Sequence, residues 1–410
     1  MDAVDRAILN MIQESFPADS RPYRTIGSKT GLSEGAAFQR IEQLKHREMI
    51  RRLGGIFDSA KLGYVSTLCA ARAPEDKIPA LAELMGGITE ITHSYLRRHH
   101  YNLWFTIIAC SRQRLEQILN EIKAVLGSEE TYSLPAQRVF KVKVCLNFPG
   151  GEQTGESRAA SIPFTAAAPD RETGEAPFSG LSVSEEEKAL IRLLQGNLPS
   201  TPTPFAELAK ALNSTEEEVL AQVDSFRRRG ILRRLAAVLY HQKAGFTSNI
   251  MGVWRVPEVL VPETGRRMAA SPQVSHCYQR PCLPELPYNL YTMIHGHSDQ
   301  ECREMMAALA EETGIRDYAL LFSQTELKKS SMRYFLEERE GGTKSIIYEN
   351  AMEDKDVKGK GTPVYLKTVR NKETNKIEKL VEMSGDEAWE KINSTDDRII
   401  QMVRTPWDKN

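Results

Sequence analysis

Residues 93–104 read HSYLRRHHYNLW, and residues 276–291 read HCYQRPCLPELPYNLY. Both stretches carry His-x-Tyr-x-Arg, then a turn, then Tyr-Asn-Leu and an aromatic residue. His93, Tyr95 and Arg97 recur as His276, Tyr278 and Arg280 at an offset of 183, while Tyr101, Asn102 and Trp104 recur as Tyr288, Asn289 and Tyr291 at 187. The Pro-rich insert from Pro281 to Pro287 absorbs the difference. Upstream, Arg51-Arg52-Leu53, Lys61 and Gly63 match Arg233-Arg234-Leu235, Lys243 and Gly245 at 182. Downstream, Gly127, Lys141 and Phe148 match Gly314, Lys328 and Phe335 at 187. A collinear series of that kind means one unit is written twice.

Each unit reads in two parts. An amphipathic helix comes first, with Val4, Ile8, Met11 and Ile12 on one face, and Leu190, Leu193 and Leu194 in the second copy. Ser184 with Glu187 forms a capping box. Two more helices are predicted at 23–31 and 34–47, and again at 204–212 and 215–229, the last of each set capped by Ser33 or Ser214. Three short helices followed by MIRRLGGIF or ILRRLAAVL suggest a winged helix-turn-helix. The second part predicts strand 64–71, helix 77–85, strands 89–97 and 101–110, helix 112–126 and strand 136–148. That βαββαβ order favours a ferredoxin-like sheet with both helices on one face. Its bare face needs a partner, and the other repeat is the natural one. The expected fold class is therefore α+β, with two tandem units paired as a pseudo-dimer within one chain. The predicted blocks are helix-turn-helix domains at 1–60 and 182–242, ferredoxin-like domains at 61–148 and 243–336, a flexible linker at 149–181, and a C-terminal extension at 337–410 with a hairpin turning near Asn371–Asn375 and then a short helix.

Composition narrows the function. The 410 residues are 41% hydrophobic and 27% charged, ordinary for a globular chain, and no apolar run is long enough for a membrane helix. The amphipathic N-terminus does not read as a signal peptide. Six scattered cysteines without a CxxC pair argue against a zinc or iron–sulfur site and fit a reducing cytoplasm. A net charge of −1 gives no overall pull toward nucleic acid. The first turn of the would-be recognition helix is Glu216-Glu217-Glu218 in one copy and Glu34-Gly35-Ala36-Ala37 in the other. Carboxylates there repel phosphate, so DNA binding is not expected. The basic runs Arg51-Arg52 and Arg227–Arg234 read as solvated helix ends.

The chemistry-bearing residues lie on strands. His93, Tyr95 and Arg97 alternate and so share one sheet face, as do His276, Tyr278 and Arg280. Tyr101, Asn102 and Trp104, with Tyr288 and Asn289, extend an aromatic and cationic wall; His99 crowds one turn, and His295 closes the corresponding strand of the second copy. One strand histidine is ordinarily structural, and a Tyr-Asn pair after a turn is ordinarily turn chemistry. The combination appears twice in register, which packing alone does not require.

The stretches HSYLRRHHYNLWFTI, HCYQRPCLPELPYNLYTMIHG and ELKKSSMRYF resemble the siroheme decarboxylases, relatives of the AsnC/leucine-responsive regulators that usually work as two homologous subunits. The likeness covers both repeats, so the chain resembles a fusion of the pair; the extension past 337 departs from the pattern. The resemblance implies loss of two acetate carboxyl groups from siroheme as carbon dioxide, giving didecarboxysiroheme for heme synthesis. It implies siroheme and its product as ligands, no added organic cofactor and no resident metal. Imidazole is a suitable proton donor, so His93, His99 and His276 are the candidate acids. Arg97, Arg280, Lys141 and Lys328 are expected to hold non-reacting carboxylates, because a cation on the reacting one would stabilise the ground state. The reacting group should lie against apolar or aromatic surface near a His. His93 or His276 could instead ligate the siroheme iron. An AsnC-type regulator sensing a small molecule, or a non-catalytic tetrapyrrole carrier, are the alternatives; a further homodimer is compatible with the sequence.

Overall fold

The computed structural model describes residues 1–142, 148, 171–172, 181–240 and 245–336, and the backbone of three strands beyond 362. The first repeat runs α1 (Ala3–Glu14), α2 (Pro22–Thr30), α3 (Glu34–His46), β1 (Ile50–Phe57), β2 (Val65–Ala71), α4 (Ile78–Gly87), β3 (Ile91–Arg97), β4 (Leu103–Ala109), α5 (Arg112–Leu126), β5 (Thr131–Pro135) and β6 (Arg138–Val142). A two-residue strand follows, β7 (Arg171–Glu172). The second repeat runs α6 (Glu185–Leu194), α7 (Pro204–Ala211), α8 (Glu216–Arg228), β8 (Leu232–Leu239), β9 (Ser248–Trp254), α9 (Val261–Ala270), β10 (Val274–Gln279), β11 (Leu290–Gly296), α10 (Asp299–Thr313) and β12 (Tyr318–Lys329).

The helix starts are where side chains can cap them. Ser184 and Glu187 make the reciprocal box at α6, and Ser33 accepts from Ala36 N at α3. At α8 the cap lies one residue later than the sequence suggests: Thr215 caps with Glu218, and Ser214 bonds the same carboxylate.

The strand leaving each trihelical unit does not make a wing with its own repeat. Instead β1 pairs antiparallel with β8, centred on Gly54 opposite Ala236, with Leu53 opposite Ala237 and Gly55 opposite Leu235. Each repeat's first loop then bonds the other's strand: Leu198 N donates to Leu53 O and Phe16 N to Leu235 O, both at 2.7 Å. One core serves both trihelical units, with Ile8, Ile12 and Ile41 packed alongside Leu190, Leu194 and Phe226. The Arg51-Arg52 and Arg233-Arg234 pairs accordingly lie on paired strands, not at helix ends.

The last strand of each βαββαβ unit is also shared. The sequence reads a single strand from 136 to 148; the chain instead has β5 pairing with β2 at home and β6 pairing with β10 of the other repeat. Gln137 N donates to Gln279 O between them. In the second repeat one long strand does both tasks: Tyr318–Phe322 of β12 pairs with β9, and Ser323–Lys329 with β3. The two four-stranded sheets are thus joined along both edges. This joins the strands into one ten-stranded sheet and turns the two bare faces toward each other. The helices cover the outside, packing Leu81, Ile107 and Ile118 in one repeat and Val261, Ile294 and Met306 in the other. Inside, Tyr101, Trp104, Met251, Tyr291 and Leu321 fill one end.

A separate unit beyond residue 338 contains β13 (Pro363–Arg370), β14 (Ile377–Met383) and β15 (Ile399–Val403), in the order β14-β13-β15. The antiparallel β13–β14 pair matches the predicted hairpin. The predicted short helix and nearly all of the 149–181 linker lie outside the described residues. Among the described residues no helix is long and apolar enough to cross a membrane.

Candidate active site

Alternation on β3 and β10 decides which way the repeated triad faces. Ser94 bonds Met85 Sδ on α4, and Leu96 packs in the helix-side core, so His93, Tyr95 and Arg97 face the ring interior. Cys277 belongs to the helix-side core of the second repeat, which turns His276, Tyr278 and Arg280 inward likewise. Each triad forms a ladder. His93 stacks near Tyr95 with centroids 6.5 Å apart, and His276 near Tyr278 at 6.2 Å. Arg97 lies 5.4 Å from the Tyr95 ring centre, and Arg280 lies 4.6 Å from that of Tyr278.

The arginines are the deep end. Both are buried, and each donates to a backbone carbonyl of the other repeat: Arg97 to Leu321 O at 2.7 Å, Arg280 to Leu134 O. Neither pairs with a carboxylate among the described residues, and burial lowers both pKa values, that of Arg97 to about 10. Two desolvated guanidinium groups, with no ion-pair partner among the described residues, make this deep end electropositive.

The histidines are the open end. They are half-buried, and each has Nδ1 held by a neighbouring hydroxyl at 3.0 Å, Thr92 for His93 and Ser275 for His276. That fixes the ring and leaves Nε2 for a ligand. Burial pushes the His93 pKa down to about 4, helped by Lys329 and Arg51. For His276 burial brings it to about 3, helped by His295, His93, Arg233 and Arg234. Both imidazoles are therefore neutral at pH 7 in the free protein. Arg51 on β1 and Lys329 at the end of β12 thus disfavour charge on His93, and Arg233 and Arg234 on β8 disfavour it on His276. Arg51 Nη2 also bonds Lys329 O at 3.0 Å, and Arg233 pairs with Asp58 at 3.1 Å. Sequence reasoning missed these four residues as site residues. For the three arginines the repeated Arg-Arg-Leu was the available signal, since it lies at the start of a strand in both copies.

Other predicted site residues lie elsewhere. Lys141 and Lys328 face the helix layer, where they finish helices: Lys141 Nζ donates to Ser271 O at the end of α9, and Lys328 Nζ to Met85 O, Gly86 O and Ile88 O at the end of α4. Bulges set them there, because Phe140 and Leu327 are skipped in the ladders opposite Cys277–Tyr278 and Ser94–Tyr95. Asn102 brackets Ala73 through its N–H and carbonyl, and Asn289 does the same for Val256. These amides pin loops. Tyr101 and Trp104 are buried in the apolar end, with Trp104 Nε1 donating to Tyr101 O, and Tyr288 packs on the same core. His99 sits at the opposite end of β3 from His93. It lines a surface hollow of about 370 Å³ with His100, Arg72 and Glu130, while its Nδ1 accepts from Tyr101 N. It does not share the inner face near His93 and His276. His295 shares the inner face of β11 with Tyr291 and Met293 and does belong with His276. Among the described residues no group of three or more His, Cys, Asp or Glu could hold a metal ion.

Comparison with known proteins supplies the context. An AsnC-like ligand binding domain matches residues 61–141 and 243–328, and a siroheme decarboxylase NirDL-like HTH domain matches 5–51 and 187–233. The chain is 34% identical to the siroheme decarboxylase of Hydrogenobacter thermophilus over 83% of its own length and 97% of that protein. It is 46% identical to a siroheme decarboxylase alpha subunit of Desulfovibrio desulfuricans over 35% of this chain and 83% of that one. The crystal structure of the siroheme decarboxylase NirDL in complex with an iron-uroporphyrin III analogue superposes with a TM-score of 0.60 at 29% identity, covering 82% of this chain and 95% of that one.

Proposed function

The chain belongs to the siroheme decarboxylase family, and from that premise we propose that it releases two acetate carboxyl groups of siroheme as carbon dioxide, giving didecarboxysiroheme. The observation that carries the site assignment is the pair of inward His-Tyr-Arg ladders, with Arg51, Arg233, Arg234 and Lys329 bearing on their histidines. A flat macrocycle rimmed with carboxylates calls for this combination of aromatic faces and cations. Arg97 and Arg280 supply a positive field from behind the tyrosines.

In each step the bond between the acetate methylene and its carboxylate breaks. The electron pair moves into the macrocycle, carbon dioxide leaves, and the methylene carbon takes one proton to become methyl. His93 and His276 are the two candidates to deliver that proton. They are neutral in the free protein, and the arriving carboxylates favour their charged form, so the substrate itself charges the acid. The macrocycle delocalises the charge, and no added organic cofactor is required by this chemistry. A neutral imidazole with Nδ1 held is also a competent axial ligand, and that second role rests on the same two hydroxyl contacts.

Anaerobic incubation with siroheme, followed by mass analysis of the extracted tetrapyrrole, tests the reading. Loss of two carboxyl groups is expected. Binding with an unchanged mass would make the chain a carrier. Promoter-fragment binding with steep salt dependence, and no turnover, would make it a regulator.

A further inference from the structure

The two ladders are not equivalent. Along β3, the residue opposite His93 is Lys329 and the residue opposite Tyr95 is Glu326, whose carboxylate accepts from the Tyr95 hydroxyl at 3.2 Å. Along β10, the matching places opposite His276 and Tyr278 are Val142 and Val139. Lys329 and Val142 are equivalent positions, as are Glu326 and Val139, since both pairs share the 187-residue offset and the same bulge. The neighbouring strand repeats the contrast. On the inner face of β11 stand Met293 and His295, whose counterparts on β4 are Thr106 and Ile108. Around His93 the ring wall carries ammonium and carboxylate. Around His276 the strand wall carries two valines, a methionine and a second imidazole, and the cations that bear on that ring, Arg233 and Arg234, come from β8, outside that wall.

We propose that the repeats divide the work: the acetate that loses carbon dioxide sits at His276 against Val139, Val142 and Met293, while the His93 side, with Lys329 and Arg51, anchors carboxylates that are not reacting. The inference rests on the siroheme decarboxylase reading above. Its logic is the charge balance of the step. A carboxylate leaving as neutral carbon dioxide gives up its negative charge to the macrocycle. Beyond the imidazolium that must donate the proton, a further ammonium in the wall would stabilise the carboxylate more than the transition state and raise the barrier, whereas apolar walls favour the neutral product. The anchoring half has the opposite requirement, since a carboxylate held through turnover gains from a cation. His276 as imidazolium then gives its proton to the methylene carbon, and His295 beside it is a positioning residue that shares the incoming proton. With one reacting locus, the second acetate reaches it only after the macrocycle has been turned or has rebound, so a singly decarboxylated species must leave the site at least partly.

Single-turnover decarboxylation under anaerobic conditions tests this, read by tetrapyrrole mass, with siroheme binding followed separately by absorbance titration. His276→Gln is expected to lower the rate at saturating siroheme roughly a hundred-fold or more while shifting the binding midpoint only slightly. His93→Gln and Lys329→Val are expected to raise the midpoint roughly tenfold and to lower the saturated rate much less. Val142→Lys, which writes the first repeat's ladder into the second, should slow the chemistry without weakening binding. His295→Ile should move the acid limb of the rate profile rather than the midpoint. Mono-decarboxylated product should accumulate in solution before the final product when siroheme is in excess. Equal rate losses in His93→Gln and His276→Gln, or an unaffected rate in Val142→Lys, would overturn the division. Wild-type protein that binds siroheme without any mass loss would instead overturn the decarboxylase reading itself.

Discussion

Arg97, on the third strand of the first repeat, donates a 2.7 Å hydrogen bond to the backbone carbonyl of Leu321, on the last strand of the second. The bond is buried and spans the seam between the repeats, and Arg280 makes its counterpart to Leu134. Arg97→Ala leaves that carbonyl unsatisfied and opens a gap beneath Tyr95. The expected cost is about 2–4 kcal/mol, read as a lowered urea midpoint. An unchanged midpoint would show that the guanidinium serves ligand binding alone.

Lys328 separates stability from function. Its ammonium meets three carbonyls at the end of α4, at 2.6 to 3.2 Å. Lys328→Met should lower stability by about 1–3 kcal/mol and leave the siroheme binding midpoint where it was. A weakened midpoint at unchanged stability would restore the substrate-clamp expectation drawn from sequence.

The histidines fix the acid limb of stability. Folded His93 titrates at about 4 and His276 at about 3, against 6.5 for the free side chain. Below pH 6.5 the unfolded chain binds protons that the folded one refuses, so stability falls as pH drops toward those values, at about 1.4 kcal/mol per unit for each group at most. Above 6.5 neither contributes a slope. The double variant His93→Gln/His276→Gln should therefore lose less melting temperature than wild type between pH 7 and 4.5. Parallel curves for the two proteins would refute the burial of neutral imidazole.

Gly54 tests the shared centre of the helical layer. A Cβ there would lie 2.0 Å from Gly196 O and 2.7 Å from Leu194 O, both backbone atoms at the end of α6. Gly54→Ala should cost about 1–3 kcal/mol through forced displacement of the β1–β8 pair. Gly35→Ala, in open space on α3, should be neutral or slightly stabilising in the same assay. Equal effects would mean that the strands can part without loss.

The sequence by itself determined the duplication, most of the order of elements in each copy, and the sharing of one strand face by His, Tyr and Arg. All three follow from periodicity and offset, which are local and one-dimensional. It also carried the family likeness, read from stretches such as HSYLRRHHYNLW and not from isolated residues. Tertiary structure decided which polar residues work inside. Lys141 and Lys328 looked like ligands until the bulges at Phe140 and Leu327 turned them toward helix ends. Arg51, Arg233 and Arg234 looked like solvated helix ends, and Lys329 drew no reading, until strand pairing between repeats set them to bear on the histidines. A one-residue bulge reverses the face of every later side chain, and exchange of strands brings together residues nearly two hundred positions apart. Neither leaves a mark in the period of either copy read alone.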